Sequence, residues 1–566
     1  MMVAQPLSSN LTTSNLTTYD ARGNAVRVSE TSALFVLISV IATIGVVAYL
    51  LFLLDPAHRG DLLPYGMVLV AECVLVFQAL LSMWTILSSG YEPRTFVYHD
   101  AKRALMPGLA ADDDTLHLDG RPVLVDVFIT VYGEDLDTVR RTVRAAVALR
   151  GAHRTWVLDD GRSDAVKAAA EQLGAWYVRR LSSGGAKAGN VNHALSIAKG
   201  ELFAIFDADF VPDPDFLIET VPFFASSEVA FVQTPQAYGN LNTIIARGAA
   251  YMQTVFYRFV QRGRNRFNAA FCVGTNVIYR RAAIDEIGGI HTDSKSEDVW
   301  TALSLHERGW RSVYISDVLA VGDAPETIEG YSKQQLRWAT GGFEILMTHN
   351  PLSPRRRLSG DQRIQYLVTA TFYLTGICPL LLLLVPPLEI YFDLRPMNLS
   401  ITPLTWAAYY FGFYAMQIVL AWFVVGSFRW ETLTLATASF PIYTKALWNV
   451  LTGKDVGWHV TGTGTTRSPF DFVVPQILFF VFLLLTSVVA ISRDVQNAQL
   501  TLATAWNVTN TLILALFLGA AVREAWGRAA VPAAAPLAVS ADAVPRTIVA
   551  RPLPTPEFIP TEGRVA

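Results

Sequence analysis

The sequence predicts a multi-span α-helical membrane protein with a cytosolic α/β domain built on a mostly parallel sheet. Two observations support this fold class. Of the 566 residues, 52% are hydrophobic and 16% are charged, and the mean hydropathy is +0.33, which is too apolar for an ordinary soluble protein. A long central region is different, because charges occur throughout it and short apolar runs alternate with helical segments.

The N-terminal part of the chain is expected to be a disordered cytosolic segment followed by a pair of membrane helices. Residues 1–32 are polar and contain no short apolar stretch with a cleavage site, so we predict no cleaved signal peptide. The stretches 33–54 and 65–88 each have the roughly 20 apolar residues that a helix needs to cross a bilayer. Both lie in a predicted membrane segment over residues 33–90.

Four further spans are predicted after the central region, within residues 351–525. They lie near 365–388, 403–426, 472–492 and 500–522, and an interfacial helix and a loop are expected at about 430–472. Basic residues cluster before the third span, between the fourth and fifth, and after the sixth. Because cytoplasmic loops carry such excess charge, we predict an inner-membrane protein with the central region and both termini in the cytoplasm. Residues 526–566 lack any periodicity and are predicted to be disordered.

Charge and cysteine content exclude several kinds of function. With 45 basic and 48 acidic residues the net charge is −3, which gives no indication of a nucleic-acid partner. Cys73, Cys272 and Cys378 are widely spaced and form no disulfide or metal-binding pattern.

The central region, residues 91–350, places acidic residues at the ends of its predicted strands. The stretches 123–132, 154–160 and 201–209 are expected to be strands, and helical segments follow the first two. Ligands of such sheets bind at the carboxyl ends of the strands, where VLDDG (157–161) and FDADF (206–210) fall. Paired carboxylates of this kind suit Mg²⁺ or Mn²⁺. The alternative is a set of solvated aspartates in turns.

Three more stretches could contribute to a site. GGAKAGN (184–190) opens a helix with a glycine pair and a lysine, which suits an anionic group. SED (296–298) contains a candidate general base, Asp298, although Ser296 could equally cap a helix, and local sequence alone favours the cap. QQLRW (334–338) combines amides, a guanidinium and an indole, which suit a diphosphate and a sugar ring; the alternative is an amphipathic helix on the membrane surface.

Taken in order, these motifs resemble those of processive family 2 glycosyltransferases, and most closely the catalytic subunits of bacterial cellulose synthases. DD (159–160), DAD (207–209), SED (296–298) and QQLRW (334–338) follow one another, with GAKAGN (185–190) and FCVGTN (271–276) between them. The resemblance covers about residues 30–525. It implies a GT-A catalytic domain, a UDP-sugar donor, a growing polysaccharide acceptor and a divalent cation, Mg²⁺ or Mn²⁺.

The resemblance also implies a role for individual residues. Asp298 would be the catalytic base, Asp207 would contact the donor, and Asp209 would bind the metal ion. The positions that match donor and nucleotide contacts are Tyr132, Glu134, Asp160, Lys187, Asp207, Gln334 and Arg337. Those that match acceptor contacts are Trp338, Cys272 and Glu297.

Export of a polymer would need polar or aromatic residues within the spans. Glu72 lies in the middle of the second span, and WAAYYFGFYAMQ (406–417) in the fourth could stack on sugar rings or face lipid.

WHVTGTG (458–464) resembles the gating loop of cellulose synthases, with Trp458, Val460 and Thr461 at matching positions. Thr463 stands where that family has a lysine, which leaves the product open. Residues 526–566 show no cyclic-di-GMP-binding pattern, so we expect no direct activation by that nucleotide.

The predicted function is polymerisation of a β-glucan from UDP-glucose and its translocation across the bilayer, with an accessory export subunit as a further possible partner. SED is nearer to the TED motif of glucan synthases than to the corresponding motifs of hyaluronan or chitin synthases, which favours UDP-glucose. Synthesis of a β-1,3, mixed-linkage or other β-linked polysaccharide is the alternative. A non-processive lipid-sugar transferase is less compatible with QQLRW and four later spans. A non-enzymatic scaffold or transporter is less compatible with the intact aspartates.

Overall fold

The computed structural model describes residues 17–19, 25–27, 33–106, 114–398, 401–425, 429–454 and 468–530. These ranges contain an α/β domain and a set of long apolar helices, so the predicted fold class is confirmed. The strands, in chain order, are β1 (Thr17–Tyr19), β2 (Ala25–Arg27), β3 (His117–Leu118), β4 (Arg121–Pro122), β5 (Val125–Val131), β6 (Arg154–Asp159), β7 (Trp176–Val178), β8 (Leu202–Asp207), β9 (Val211–Pro212), β10 (Val229–Gln233), β11 (Ala237–Tyr238), β12 (Val277–Arg280), β13 (Arg311–Tyr314) and β14 (Ala320–Gly322).

The α-helices alternate with these strands in the middle of the chain and dominate its two ends. They are α1 (Ala33–Leu54), α2 (Leu62–Leu87), α3 (Phe96–Ala104), α4 (Leu136–Val147), α5 (Asp164–Gln172), α6 (Ala186–Ile197), α7 (Phe216–Thr220), α8 (Ile244–Val255), α9 (Gln261–Arg264), α10 (Arg281–Glu286), α11 (Glu297–Glu307), α12 (Ile328–Thr348), α13 (Gly360–Thr371), α14 (Cys378–Phe392), α15 (Pro403–Val425), α16 (Trp430–Ala438), α17 (Phe440–Thr452), α18 (Val474–Gln496) and α19 (Leu502–Ala530).

A seven-stranded sheet forms the centre of the α/β domain within the described residues. Its strand order is β13-β10-β12-β8-β5-β6-β7, and β12 runs antiparallel to both of its neighbours while the other pairs are parallel. β5 reads VDVFITV and every one of its residues is buried, as expected for a central strand covered on both faces. The prediction of a mostly parallel sheet is therefore correct.

Helices cover both faces of this sheet and produce two apolar cores. On one face, Val139 and Val143 of α4 pack against Val127 and Ile129 of β5. On the other face, residues of α6 and α11 pack around Phe128 of the same strand. Successive β5 side chains thus point to opposite cores, and the carboxyl ends of β5, β6 and β8 lie side by side at one edge.

The apolar helices lie where the sequence predicts membrane spans. Five helical stretches in the described ranges are long and apolar enough to cross a membrane: Ala33–Leu54, Leu62–Leu87, Gly360–Phe392, Val474–Gln496 and Leu502–Gly527. The stretch predicted as the fourth span is the 23-residue helix α15. These helices describe a multi-pass membrane protein.

Two described elements lie in segments that the sequence predicted to be disordered. Within the N-terminal segment expected to be disordered, Thr17–Tyr19 pairs antiparallel with Ala25–Arg27, because β-branched Thr17, Thr18 and Val26 favour extended chain. At the other end, α19 continues to Ala530, beyond the boundary predicted at residue 525, because its last turns are rich in the helix former alanine.

The α/β domain and the apolar helices are joined by close contacts. A Cβ atom at Gly263 of α9 would lie 2.0 Å from the carbonyl oxygen of Thr85 in α2, so the two helices touch at that point. Arg247 of α8 pairs with Glu431 of α16 at 3.2 Å. Glu524 of α19 accepts a hydrogen bond from the Ile328 N–H, the first residue of α12, at 2.9 Å.

Candidate active site

One cavity of about 1220 Å³ lies between the carboxyl ends of the strands, α12 and the apolar helices. Eleven of the predicted site residues line it: Tyr132, Glu134, Asp160, Lys187, Asp207, Asp209, Glu297, Asp298, Gln334, Arg337 and Trp338. The structure therefore brings together residues that are more than 200 positions apart in the chain.

The end of β6 contributes Asp160 to the cavity, whereas its neighbour Asp159 is used to build the turn. The carboxylate of Asp159 accepts hydrogen bonds from the backbone N–H groups of Arg162 and Ser163 and from the Tyr177 hydroxyl. Asp160 instead binds the guanidinium of Arg180 through two hydrogen bonds of 2.6 Å, in the bidentate geometry that favours this pair. The acidic pair at this strand end thus has two different roles.

The end of β8 places Asp207 at the centre of the site. Its carboxylate accepts hydrogen bonds from the Thr130 hydroxyl at 3.0 Å and from the Lys187 ammonium. Its backbone N–H donates to the hydroxyl of Thr275, in the FCVGTN stretch, at 2.9 Å. Thr275 is fully buried, so this contact fixes the FCVGTN loop against the strand end.

The position of Gly274 shows that Asp298, the candidate base, lies near Lys187, the partner of Asp207. Gly274 has φ +82°, a conformation that glycine adopts readily. A Cβ atom built there would lie 3.5 Å from Asp298 Oδ2 and 3.5 Å from Lys187 Nζ. The Asp298 carboxylate and the Lys187 ammonium therefore both lie beside Gly274 in the cavity wall.

Asp209 lies in a concentration of negative charge. Burial, together with the charges of Asp207 and Glu134, raises the pKa of Asp209 to about 7. Glu134 accepts a hydrogen bond from the Tyr132 N–H at 2.7 Å, and burial raises its pKa as well. A divalent cation would neutralise this charge, and oxygen-only donors suit Mg²⁺ or Mn²⁺.

The described residues do not surround such an ion by themselves. In the described part of the chain no group of three or more His, Cys, Asp or Glu side chains could hold a metal. Asp207 and Asp209 supply carboxylate oxygens to the cavity, and Mg²⁺ commonly completes its coordination with water or substrate phosphates.

Asp298 and Glu297 open helix α11 and face the cavity. Burial is the main cause of the raised pKa of Asp298, and it is opposed by the positive charges of Lys187 and Arg337. Burial and the neighbouring Asp298 raise the pKa of Glu297 to about 7. Ser296 precedes the helix but makes no side-chain capping bond. Ser296 thus occupies the N-cap position of α11 before an acidic first turn, as local sequence favoured, although it lacks the capping side-chain bond. This position is compatible with Asp298 facing the cavity.

Helix α12 carries the QQLRW residues along the cavity. Gln334, Gln335, Arg337 and Trp338 line it, and Gln335 also accepts a hydrogen bond from the Tyr443 hydroxyl of α17 at 2.9 Å. Lys333, one turn before Arg337, also lines the cavity and pairs with Glu329 at 2.8 Å. The motif thus directs one face to the cavity and one face to a neighbouring helix.

Cys272 occupies a different place from the acceptor contact that was expected. Its side chain is fully buried and does not line the cavity. The thiol donates a hydrogen bond to the backbone carbonyl of Asp298 at 3.0 Å, and burial raises the pKa of the thiol. Cys272 therefore contacts the main chain of Asp298 from behind the cavity wall. The predicted gating residues Trp458, Val460 and Thr461 lie outside the described residues.

The cavity extends from the strand ends to the apolar helices. Phe372 and Tyr373, between α13 and α14, and Tyr414 and Gln417 of α15 line its membrane side. Tyr414 also donates a hydrogen bond of 3.0 Å to Glu72, which is fully buried in α2. A carboxylate buried among apolar helices needs a hydrogen-bond partner, and for Glu72 that partner is the cavity-lining Tyr414.

Two other aromatic residues of α15 face its neighbour α1 instead. Phe413 stacks on Tyr49 with ring centroids 5.0 Å apart, and Tyr409 stacks on Phe52 at 4.5 Å. Among the residues of the 406–417 stretch whose side chains are described, only Tyr414 and Gln417 line the cavity. Of the side chains described in this stretch, we therefore expect only those of Tyr414 and Gln417 to contact sugar rings.

Sequence analysis missed Arg180 and Lys333. Arg180 follows a short strand in YVRRLSS, where no motif marks it, and only the fold brings it to Asp160. Lys333 could have been found, because a residue four positions before Arg337 lies on the same helical face.

Two family models match this part of the chain. Residues 122–341 match the model described as glycosyltransferase like family 2, and residues 284–440 match the model described as cellulose synthase. The α/β domain therefore matches the family 2 glycosyltransferases, and its last part together with the helices that follow matches the cellulose synthases. The resemblance drawn from the motifs is confirmed, and the residues that line the cavity, apart from Ser82 and Ile86, lie within the matched residues.

Curated relatives of the glycosyltransferase domain include three bacterial proteins. Cellulose synthase 2 of Novacetimonas hansenii is 32% identical over 412 residues, which is 70% of this chain and 26% of that protein. UDP-forming cellulose synthase catalytic subunits of Xanthomonas axonopodis pv. citri and Pseudomonas fluorescens are 36% and 37% identical, over 45% and 47% of this chain. The chain spans only 36% and 37% of the length of those two relatives.

Solved structures of lower similarity include a mannosyltransferase from Pyrobaculum calidifontis in complex with GDP-Man and Mn²⁺. It is 17% identical, with a TM-score of 0.43 over 68% of this chain and 100% of that chain. TarS of S. aureus in complex with UDP-GlcNAc has a TM-score of 0.31.

Proposed function

We propose that this chain is a processive, inverting glycosyltransferase that polymerises a β-glucan from UDP-glucose and moves the product across the inner membrane. The observation that carries the proposal is the cavity of about 1220 Å³. It brings Asp298, Asp207 and Arg337 together and continues to Tyr373 and Tyr414 on the membrane side. A donor and the end of a growing chain could therefore meet in a space that leads towards the bilayer.

The chemistry follows from the positions of the charged groups. Asp298 takes the proton of the acceptor hydroxyl while the acceptor oxygen attacks the anomeric carbon of the donor sugar. The bond between that carbon and the diphosphate oxygen breaks, and UDP leaves with the bonding electron pair. Lys187 and Arg337 lie close enough to the base to influence its pKa and are cations that suit the leaving diphosphate.

Asp209 is the residue that would hold a divalent cation, with Asp207 beside it. Such an ion, when bound, would neutralise the charge of the departing diphosphate. Trp338 would offer a flat apolar face to the terminal sugar of the acceptor. Asp160 would contact the nucleotide from its position against Arg180.

Sugar transfer in purified membranes tests the proposal. Membranes that contain the protein are supplied with radiolabelled UDP-glucose, UDP-GlcNAc or GDP-mannose and Mg²⁺ or Mn²⁺, and the polymer is digested with a β-1,4-glucanase or a β-1,3-glucanase. We expect labelled polymer from UDP-glucose, loss of synthesis with a chelator, and recovery when the cation is returned. Absence of polymer from every donor would refute the proposal. Transfer of a single sugar to lipid would support a non-processive enzyme instead, and the glucanase that degrades the product would identify its linkage.

A further inference from the structure

The loop that leads to the base candidate is fastened to α12 by a residue that no motif includes. Glu344 lies on α12, seven positions after Arg337 and three after Gly341, so all three lie on the same side of the helix. Glu344 Oε2 accepts a hydrogen bond from the Ser294 hydroxyl at 3.1 Å and another from the Lys295 N–H at 3.1 Å.

These bonds continue to the start of the base helix. The Ser294 hydroxyl in turn accepts a hydrogen bond from the Ser296 N–H at 3.1 Å. Ser296 is the residue before α11, and Asp298 is the second residue of that helix. A continuous path of hydrogen bonds therefore runs from Glu344 to the residue that begins the base helix.

A second contact between the same two segments lies one turn away. A Cβ atom at Gly341 would lie 2.0 Å from Ser296 Oγ, so α12 and Ser296 are in direct contact and only glycine leaves the space for it. Ser294 and Ser296 are both 8% exposed, which shows that this stretch of loop is packed against the domain rather than free at the surface. Two contacts on one helical face determine the position of the loop.

We propose that Glu344 is a positioning residue, which fastens the loop before Asp298 to the helix that carries Arg337 and Trp338. The catalytic part of this inference rests on the proposed function. Helix α12 carries both Arg337 and Glu344. Because Glu344 holds the loop before Asp298, α12 determines the distance between Asp298 and the donor-binding side chains. Glu344 itself is half-buried and borders a second cavity of about 500 Å³, so truncating its side chain leaves no sealed apolar void.

Steady-state kinetics with UDP-glucose test the role of Glu344. Glu344→Ala should lower kcat about tenfold, because a small displacement of a catalytic group is costly, while the KM for UDP-glucose stays within about twofold. Glu344→Gln keeps an oxygen that accepts hydrogen bonds and should lose less. Ser294→Ala should also lower kcat, and the double variant Ser294→Ala with Glu344→Ala should be no worse than Glu344→Ala, because both changes break one path.

Glu286→Ala is the matched control. Glu286 is an exposed glutamate that joins two elements by accepting a hydrogen bond from Trp310 Nε1 at 2.8 Å, and it does not line the cavity. Its replacement should leave kcat unchanged. Wild-type kcat in Glu344→Ala, loss of UDP affinity in that variant, or additive effects in the double variant would overturn the inference. If Glu344→Ala does not fold, Glu344→Gln and Ser294→Ala decide the same question.

Amide hydrogen exchange separates this inference from the proposed function. Exchange over residues 291–298 should be faster in Glu344→Ala than in the wild type, whether or not the protein transfers sugar. Unchanged exchange would overturn the fastening role. A wild type that is inactive on every sugar nucleotide would refute the proposed function alone.

Discussion

Asp298 is the residue on which the proposed chemistry depends most. Its carboxylate is held by the Val299 N–H at 2.8 Å, and its main chain is held by Cys272. Asp298→Asn keeps the size of the side chain but removes the base, and we expect transfer to fall about 10²–10⁴-fold. Titration with UDP should show binding close to that of the wild type. A large loss of UDP affinity would instead assign Asp298 to the nucleotide or the metal ion.

The pH dependence of transfer should report the environment of Asp298. Because burial raises the pKa of this base, which must be ionised to act, activity should fall as the pH decreases through that raised pKa. Lys187 opposes the shift, so Lys187→Met should raise the pKa further and move the acid limb of kcat/KM to higher pH. Lys167→Met is the control, because Lys167 is an exposed residue of α5 paired with Glu171 at 3.9 Å, and it should not move the limb. An unchanged limb in Lys187→Met would show that another group controls the profile.

At the scale of elements, His306 makes the stability of helix α11 sensitive to acid. Its ring nitrogens lie 2.7 Å from the Tyr366 hydroxyl and 2.9 Å from the Ser312 hydroxyl, and burial lowers its pKa to about 3. The unfolded chain binds a proton near pH 6.5, so between these values protons favour unfolding. This residue should therefore cost about 1.4 kcal/mol of stability per pH unit as the pH falls below 6.5.

Thermal unfolding at a series of pH values checks this expectation. The melting temperature should fall from pH 7 to pH 5 in the wild type, and His306→Gln should reduce the slope. Replacement of the exposed His193 by glutamine should leave the slope as it is. If all three proteins show the same slope, the acid sensitivity arises elsewhere.

The close contact between helices α9 and α2 should also affect the stability of the protein. A methyl group at Gly263 would overlap the backbone of Thr85, so Gly263→Ala should destabilise the protein by about 1–3 kcal/mol, as overpacking usually does. Gly66 of α2 has open space around it, so Gly66→Ala should be neutral or stabilising, because alanine favours helix. Thermal unfolding of detergent-purified variants compares them. Equal stability of the two variants would contradict the close contact.

Element types were more predictable from sequence than the contacts between them. The continuous apolar run VDVFITV and the helical spacing of the segment that follows it are visible in the sequence, and the carboxyl-end rule placed Asp160 and Asp207 at one edge. The pairing of Asp160 with Arg180 and the burial of Cys272 depend on long-range packing that no local pattern records. For SED, local sequence favoured Ser296 as the N-cap of α11, where the structure places it, but no local pattern records the packing of Ser296 against Gly341.

At the scale of the whole molecule, the position of the cavity predicts where the product goes. We predict from loop charge that the α/β domain faces the cytoplasm, the side that inverted membrane vesicles expose, so donor added outside should reach Asp207 and Arg337. The polymer should then enter the vesicle and resist an added glucanase until detergent is supplied. Polymer that is degraded without detergent would show that synthesis is not coupled to export.

The capping of α12 by Glu524 has a consequence for how the enzyme responds to its lipids. Glu524 belongs to the last long apolar helix, and the bond joins that helix to the one that carries Arg337 and Trp338. Apolar helices tilt when bilayer thickness changes. Tilt of α19 would pull on the first turn of α12, so we expect turnover to vary with acyl-chain length in reconstituted liposomes. Glu524→Ala should weaken that dependence, which would make the thickness of the bilayer a regulator of synthesis.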